Sequence, residues 1–173
     1  REPEIEDLAN ALCKMGAVII GAGSPVIRIT RAARLKGLKH TVMPDRVETG
    51  TFMLLCAAAG GRIKLLNTAP KTLGALIRAM EKAGVKINTF KDSMEIIAPQ
   101  GRPKPVSVVT KPHPGFPTDL QAPWMSFMAR ANGTSEVQEH IFENRFMHAP
   151  ELVRMGADIT ILDRKAVIRG VPQ

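Results

Sequence analysis

Arg145, in the run His140-Ile141-Phe142-Glu143-Asn144-Arg145, has the most distinctive chemistry in the chain. Its planar, permanently charged guanidinium suits phosphate and carboxylate ligands. An ion pair to Glu143 or Glu139 would occupy it equally well. Asp119, in Pro117-Thr118-Asp119-Leu120-Gln121, stands where a helix begins. On residue type alone its carboxylate reads as an N-cap, satisfying orphan amides at about 0.5–2 kcal/mol. Asp45 is a second acid of this kind, with Glu48 three residues on to close a capping box and Arg46 beside it for a surface pair. Ile141 and Phe142, at the end of a strand pattern, read as core on their side chains alone. His113, His140 and His148 lack ligand spacing with Cys or carboxylates, so no metal site is expected. Cys13 and Cys56 lie inside apolar helical patterns without redox spacing and read as reduced core residues.

The elements that would position these residues recur along the chain. An amphipathic helix ending at a glycine runs into a short hairpin at Leu12-Cys13-Lys14-Met15-Gly16, at Met80-Glu81-Lys82-Ala83-Gly84 and at Leu152-Val153-Arg154-Met155-Gly156. The three glycines set a repeat of about seventy residues. In the first complete unit Thr41-Val42-Met43 reads as a strand, followed by a helix from near Asp45 through Phe52 to Ala59. That helix is apolar all round, so protein must surround it. Arg62 to Leu66 is the next strand, and Pro70 opens a second helix with Leu73, Leu76, Ile77 and Met80 on one face. The next unit repeats the order: Val106 to Val109 as strand, an apolar helix from about Asp119 through Trp124 and Met128, Gly133 as its stop, Ser135 to Ile141 as strand, then a helix near Pro150 to Met155. Each unit therefore reads strand, helix, strand, helix, strand, strand, and the fold class is α/β.

Three runs carry a family resemblance: Met43-Pro44-Asp45-Arg46-Val47-Glu48-Thr49-Gly50-Thr51-Phe52, Pro114-Gly115-Phe116-Pro117-Thr118-Asp119-Leu120-Gln121, and His140 through Ala157. In order and spacing the chain resembles the UDP-N-acetylglucosamine enolpyruvyl transferases of the EPSP synthase superfamily. The resemblance implies an inside-out α/β barrel, in which repeat units pack their apolar helices inside and their sheets outside, with two such domains facing each other across a cleft. On that plan residues 1–42 form the end of one domain plus a connection near Leu38 to Thr41, and residues 43–173 form two repeat units of the other. Two units without the third would leave an open, apolar flank.

The same resemblance implies transfer of the enolpyruvyl group of phosphoenolpyruvate to the 3′-hydroxyl of UDP-N-acetylglucosamine in peptidoglycan synthesis, with no cofactor. It makes Asp119 the carboxylate that contacts the sugar hydroxyl and a candidate general base, since an attacking hydroxyl must lose a proton to a group within hydrogen-bond reach. It gives Ile141 a main-chain bond to the sugar nucleotide, stacks Phe142 beside that ligand, and puts Arg145 near the cleft. Asp45 and Arg46 fall near the enolpyruvyl site. Glu139 followed by His140 departs from the acidic and hydroxyl pair usual there, and Trp124 and Ser126 are packing variants. The family's Lys-Asn pair, its loop cysteine and its phosphoenolpyruvate-binding arginines are not in this chain, so the missing part of the parent is itself an expected partner, and catalysis by this stretch alone is not expected. Two other readings stand beside this one: an enolpyruvylshikimate phosphate synthase-type transferase, and a non-catalytic sugar-nucleotide binding module.

Composition agrees with a folded domain: 45% apolar and 23% charged residues are ordinary globular usage. No apolar run approaches the roughly 20 residues of a membrane span, and no cationic start precedes an apolar stretch as in a secretory signal. A cytoplasmic protein is the expectation. The net charge of +8 favours anionic partners. Nucleic acid is disfavoured, because the basic residues are scattered, Tyr is absent, and the Phe and Trp residues are not interleaved with Arg as a stacking platform would need.

Overall fold

A computed structural model describes residues 1–172. The chain divides into two compact units, Arg1–Pro44 and Asp45–Gln173. In the first, helix α1 (Pro3–Lys14) leads into the antiparallel hairpin β1 (Val18–Ile20) and β2 (Arg28–Thr30). The segment that follows is tied back to α1: Nε2 of His40 lies 3.1 Å from Asp7 Oδ2, and the Met43 N–H donates to the same oxygen at 3.4 Å. Thr41-Val42-Met43 is therefore not a strand. A strand needs a ladder neighbour, and this segment spends its backbone on a side chain instead.

The second unit contains α2 (Arg46–Ala59), β3 (Arg62–Leu66), α3 (Gly74–Lys82), β4 (Lys86–Thr89), β5 (Ser93–Ile97), β6 (Val108–Val109), α4 (Gln121–Met128), β7 (Thr134–Gln138), α5 (Ala149–Arg154), β8 (Asp158–Leu162) and β9 (Lys165–Arg169). The strands form two sheets, β3-β5-β4 and β6-β7-β9-β8, antiparallel throughout except for the parallel pair β6 and β7. Helix α2 packs on β3 and β5, helix α4 on β7 and β9, and the two helices pack on each other. The strand period turns Met94 and Ile96 of β5, Val137 of β7, and Ala166 and Ile168 of β9 into the core, all fully buried. Trp124 and Phe127 of α4 join them, meeting edge to face at 5.7 Å. Each such aromatic contributes about 1.5–3 kcal/mol through its burial.

The repeat read from the sequence is visible in backbone hydrogen bonds. At each helix end the glycine N–H donates to the carbonyl three residues back, and the following N–H reaches five back: Gly16 to Cys13 and Ala17 to Leu12, Gly84 to Glu81 and Val85 to Met80, Gly156 to Val153 and Ala157 to Leu152. This is the Schellman arrangement, and it needs a left-handed residue at the glycine. The three glycines have φ of 110°, 99° and 98°.

Some element limits differ from the sequence reading, each for a local reason. Strand β6 is only Val108–Val109, because the Ser107 hydroxyl rather than a ladder carbonyl receives the Glu136 N–H. Pro70 opens a 3₁₀ turn, Pro70–Leu73, with the α-helix proper starting at Gly74. Cys56 is buried as expected, whereas Cys13 is exposed on α1. Among the described residues of the second unit, helix α2 keeps part of its apolar surface exposed: Phe52 is 42% and Leu55 57% exposed.

Candidate functional site

Asp119, Ile141, Phe142 and Arg145 come together at one end of the second sheet, and the loop before α4 shows how. Gly115 N–H closes a turn on the Pro112 carbonyl at 2.8 Å, and Lys111 N–H bonds the Phe116 carbonyl at 3.1 Å. Phe116 is buried against Trp124, with ring centroids 5.5 Å apart. This anchors the 3₁₀ turn Thr118–Leu120 that enters α4. Helix α2 approaches that turn closely because residue 50 has no side chain: a Cβ on Gly50 would lie 2.4 Å from Leu120 Cδ1.

Asp119 sits inside the turn and is not an N-cap, since Pro117 holds that position and no side chain caps the helix. Its half-exposed carboxylate instead receives Nη2 of Arg145 at 2.5 Å. The same guanidinium lies over the Phe142 ring, 4.8 Å from its centroid. Arg145 is thus paired with Asp119, and not with Glu143 or Glu139. Glu143 pairs with Arg164 at 3.2 Å. Phe142 is half exposed rather than core. A carboxylate, a cation and an aromatic face therefore lie together at the surface, a combination suited to a polar ligand with an anionic group and an apolar face.

Ile141 does not end a strand. Ladder pairing stops at Gln138, after which Glu139 N–H donates to the Arg164 carbonyl at 2.8 Å and His140 N–H turns to the Thr110 hydroxyl at 2.9 Å. The Ile141 N–H donates to Glu139 Oε1 at 2.8 Å. Asp45 caps α2 through one oxygen, which accepts from Val47 N–H at 2.7 Å and Glu48 N–H at 3.1 Å. Arg46 beside it is buried, at 8% exposure, rather than lying at the surface.

Glu139, expected from the sequence only as a candidate partner of Arg145 and as a departure from the family's usual pair, is a buried hub of this site. It is 1% exposed and accepts hydrogen bonds from the hydroxyls of Thr110 and Thr118 and from the N–H groups of Ile141 and Phe142. Burial alone would raise its pKa, but these donors outweigh that and hold the carboxyl below its ordinary range. A signal was present: Ser135, Val137 and Glu139 share the inward face of one strand period, and an acid at an inward position needs donors. His148, close by, is held below its ordinary pKa by burial and, secondarily, by the Arg145 charge. Among the described residues, no group of three or more His, Cys, Asp or Glu side chains is arranged to hold a metal ion.

The fold is of the enolpyruvyl transferase type: the family model for EPSP synthase (3-phosphoshikimate 1-carboxyvinyltransferase) matches residues 1–173, and the chain belongs to that family. Within it, the chain is 54% identical, over its full length, to a UDP-N-acetylglucosamine 1-carboxyvinyltransferase of Hyphomonas neptunium. It is 49% identical, over 99% of its length, to one of Magnetococcus marinus. It spans 41% of each of those relatives. Among solved structures, the enolpyruvyl transferase NikO of Streptomyces tendae superposes with a TM-score of 0.86 at 22% identity, over 98% of this chain and 41% of that one. An EPSP synthase of Acinetobacter baumannii gives 0.69 at 19% identity, over 95% of this chain and 40% of its own. These two structural likenesses concern the fold. No helix of the described residues is long and apolar enough to cross a membrane.

Proposed function

We propose that the parent of this chain transfers the enolpyruvyl group of phosphoenolpyruvate to the 3′-hydroxyl of UDP-N-acetylglucosamine, releasing phosphate, as a cytoplasmic step of peptidoglycan synthesis. The observation that carries this reading is the exposed Asp119 carboxylate, oriented by Arg145 at 2.5 Å beside the Phe142 face. The sugar hydroxyl adds to C2 of the enolpyruvyl group while Asp119 accepts its proton and C3 takes up a proton to become a methyl group; the tetrahedral adduct then loses a proton from that methyl group and phosphate from C2 by C–O cleavage, restoring the double bond. Phe142 packs against the sugar nucleotide, the Ile141 carbonyl accepts a hydrogen bond from it, and Arg145 keeps the carboxylate aimed. Asp45 and Arg46 serve the enolpyruvyl side of the cleft. The phosphoenolpyruvate-binding groups come from the rest of the parent.

Residues 1–42 are the end of one domain and its connection, and residues 43–173 are two of the three units of the other. The third unit covers the exposed Phe52 and Leu55 face of α2 and completes an inside-out barrel. Similarity at 48–54% identity to proteins named for the sugar nucleotide favours it over shikimate 3-phosphate as acceptor.

Phosphate release by the full-length parent, with phosphoenolpyruvate and either acceptor, tests the reading. Turnover with UDP-N-acetylglucosamine alone, abolished in Asp119→Asn, is the expected result. Absence of turnover with either acceptor from a folded parent would leave a binding module; turnover only with shikimate 3-phosphate would reassign the acceptor.

A further inference from the structure

We propose that Glu139 is the positioning residue of this site: its single carboxylate fixes the turn bearing Asp119 and the main chain of Ile141 and Phe142 in one frame. The proposal rests on the reading above and assigns a role to a residue that itself need not touch substrate.

Three separate stretches converge on the carboxylate. Oε1 accepts from the Thr110 hydroxyl at 2.7 Å, after β6, and from the N–H groups of Ile141 and Phe142 at 2.8 and 3.2 Å, after β7. Oε2 accepts from the Thr118 hydroxyl at 2.8 Å, the residue before Asp119. The Thr110 hydroxyl in turn accepts the His140 N–H at 2.9 Å, so its donor and an acceptor site are both used. A buried carboxylate without donors would be strongly disfavoured. Here each donor offsets part of that cost, and the geometry is satisfied only when the three stretches hold their mutual positions. The two oxygens divide the work: Oε1 holds the main chain against which the sugar nucleotide rests, and Oε2 holds the turn that aims the base. Misplacing a reacting group by about 1 Å can cost about 100-fold in rate.

The test uses the full-length parent, with steady-state kinetics in both substrates, calorimetric binding of UDP-N-acetylglucosamine and melting curves for each variant. Glu139→Ala is expected to lower kcat/KM for the sugar nucleotide by about 100-fold, leaving KM for phosphoenolpyruvate in place. Glu139→Gln should recover most of that loss, because the Gln carbonyl can accept the three Oε1 bonds while its NH2 donates to the Thr118 hydroxyl. Thr118→Val cuts only the link to the Asp119 turn, so kcat should fall with little change in sugar-nucleotide affinity. A purely structural role gives no such split. Losses that track the melting temperature equally in all three variants and in both substrates would overturn the proposal, as would wild-type constants in folded Glu139→Ala. A folded wild-type parent that neither binds nor converts the sugar nucleotide would sink the functional reading and this proposal together. With wild-type turnover intact, the variants decide Glu139 alone.

Discussion

Replacing Arg145 by Met separates what that residue does for stability from what it does for chemistry. The lost contacts are the ion pair to Asp119 at 2.5 Å and the cation over Phe142 at 4.8 Å. The side chains of the pair are 34% and 50% exposed, so solvent screening limits the ion pair to about 0.2–1 kcal/mol. The cation–π contact at a half-exposed ring adds about 0.5–1 kcal/mol. A Met of similar length keeps apolar contact with Phe142, returning about 0.3–1.5 kcal/mol through sulfur and ring. The net destabilisation is then centred on about 0.5 kcal/mol and stays below about 2 kcal/mol. The effect on chemistry is larger, because the Asp119 carboxylate loses the partner that fixes its direction. A fall in kcat/KM of about 10- to 100-fold, near 1.4–2.7 kcal/mol of barrier, is expected. Urea unfolding and steady-state turnover of the parent measure the two quantities. Arg145→Lys should restore charge but not the planar fork, and so recover only part of the rate. Unchanged kcat/KM, or a stability loss above about 3 kcal/mol with activity lost in proportion to it, would refute the assignment of Arg145 as the group that aims Asp119.

Gly170→Ala would place a Cβ 1.8 Å from the Ala131 carbonyl oxygen, a backbone atom that cannot rotate away. It should destabilise by about 1–3 kcal/mol or more, read as a lower urea midpoint. His148 titrates below its ordinary value of 6.5 because of burial and then the Arg145 charge. The unfolded chain therefore binds the proton more readily, so stability is complete above about pH 6.5 and falls as pH drops from there towards the lower folded value. In Arg145→Met the His148 ring, followed by proton NMR, should titrate higher than in the wild-type chain. The exposed Phe52 and Leu55 face of α2 should make this chain self-associate; sedimentation velocity should show Phe52→Ser/Leu55→Glu shifting it towards monomer, and an unshifted profile would place the contact elsewhere.

Residue patterns determined much of this molecule. The helix, glycine and hairpin repeat at Gly16, Gly84 and Gly156 was legible because a left-handed helix stop is a local requirement. The apolar α2 and α4 and the Asp45 cap were legible for the same reason: they depend on neighbours within a few residues. Asp119, Ile141, Phe142 and Arg145 could be named from the family motifs, but their partners could not. Arg145 lies beside Glu143 in sequence yet bonds Asp119, 26 positions away, because the turn before α4 brings that carboxylate to it. Ile141 and Phe142 leave the strand period because their N–H groups turn back to Glu139, and Glu139 is held there by Thr110, 29 residues away, whose hydroxyl also takes the His140 N–H. Thr41-Val42-Met43 has strand-like residues but no strand, since pairing requires a neighbour that only tertiary structure supplies. The one-sided exposure of α2 follows the same logic. Apolar periodicity says that a face will be covered, and only the packed molecule decides which part of the chain covers it.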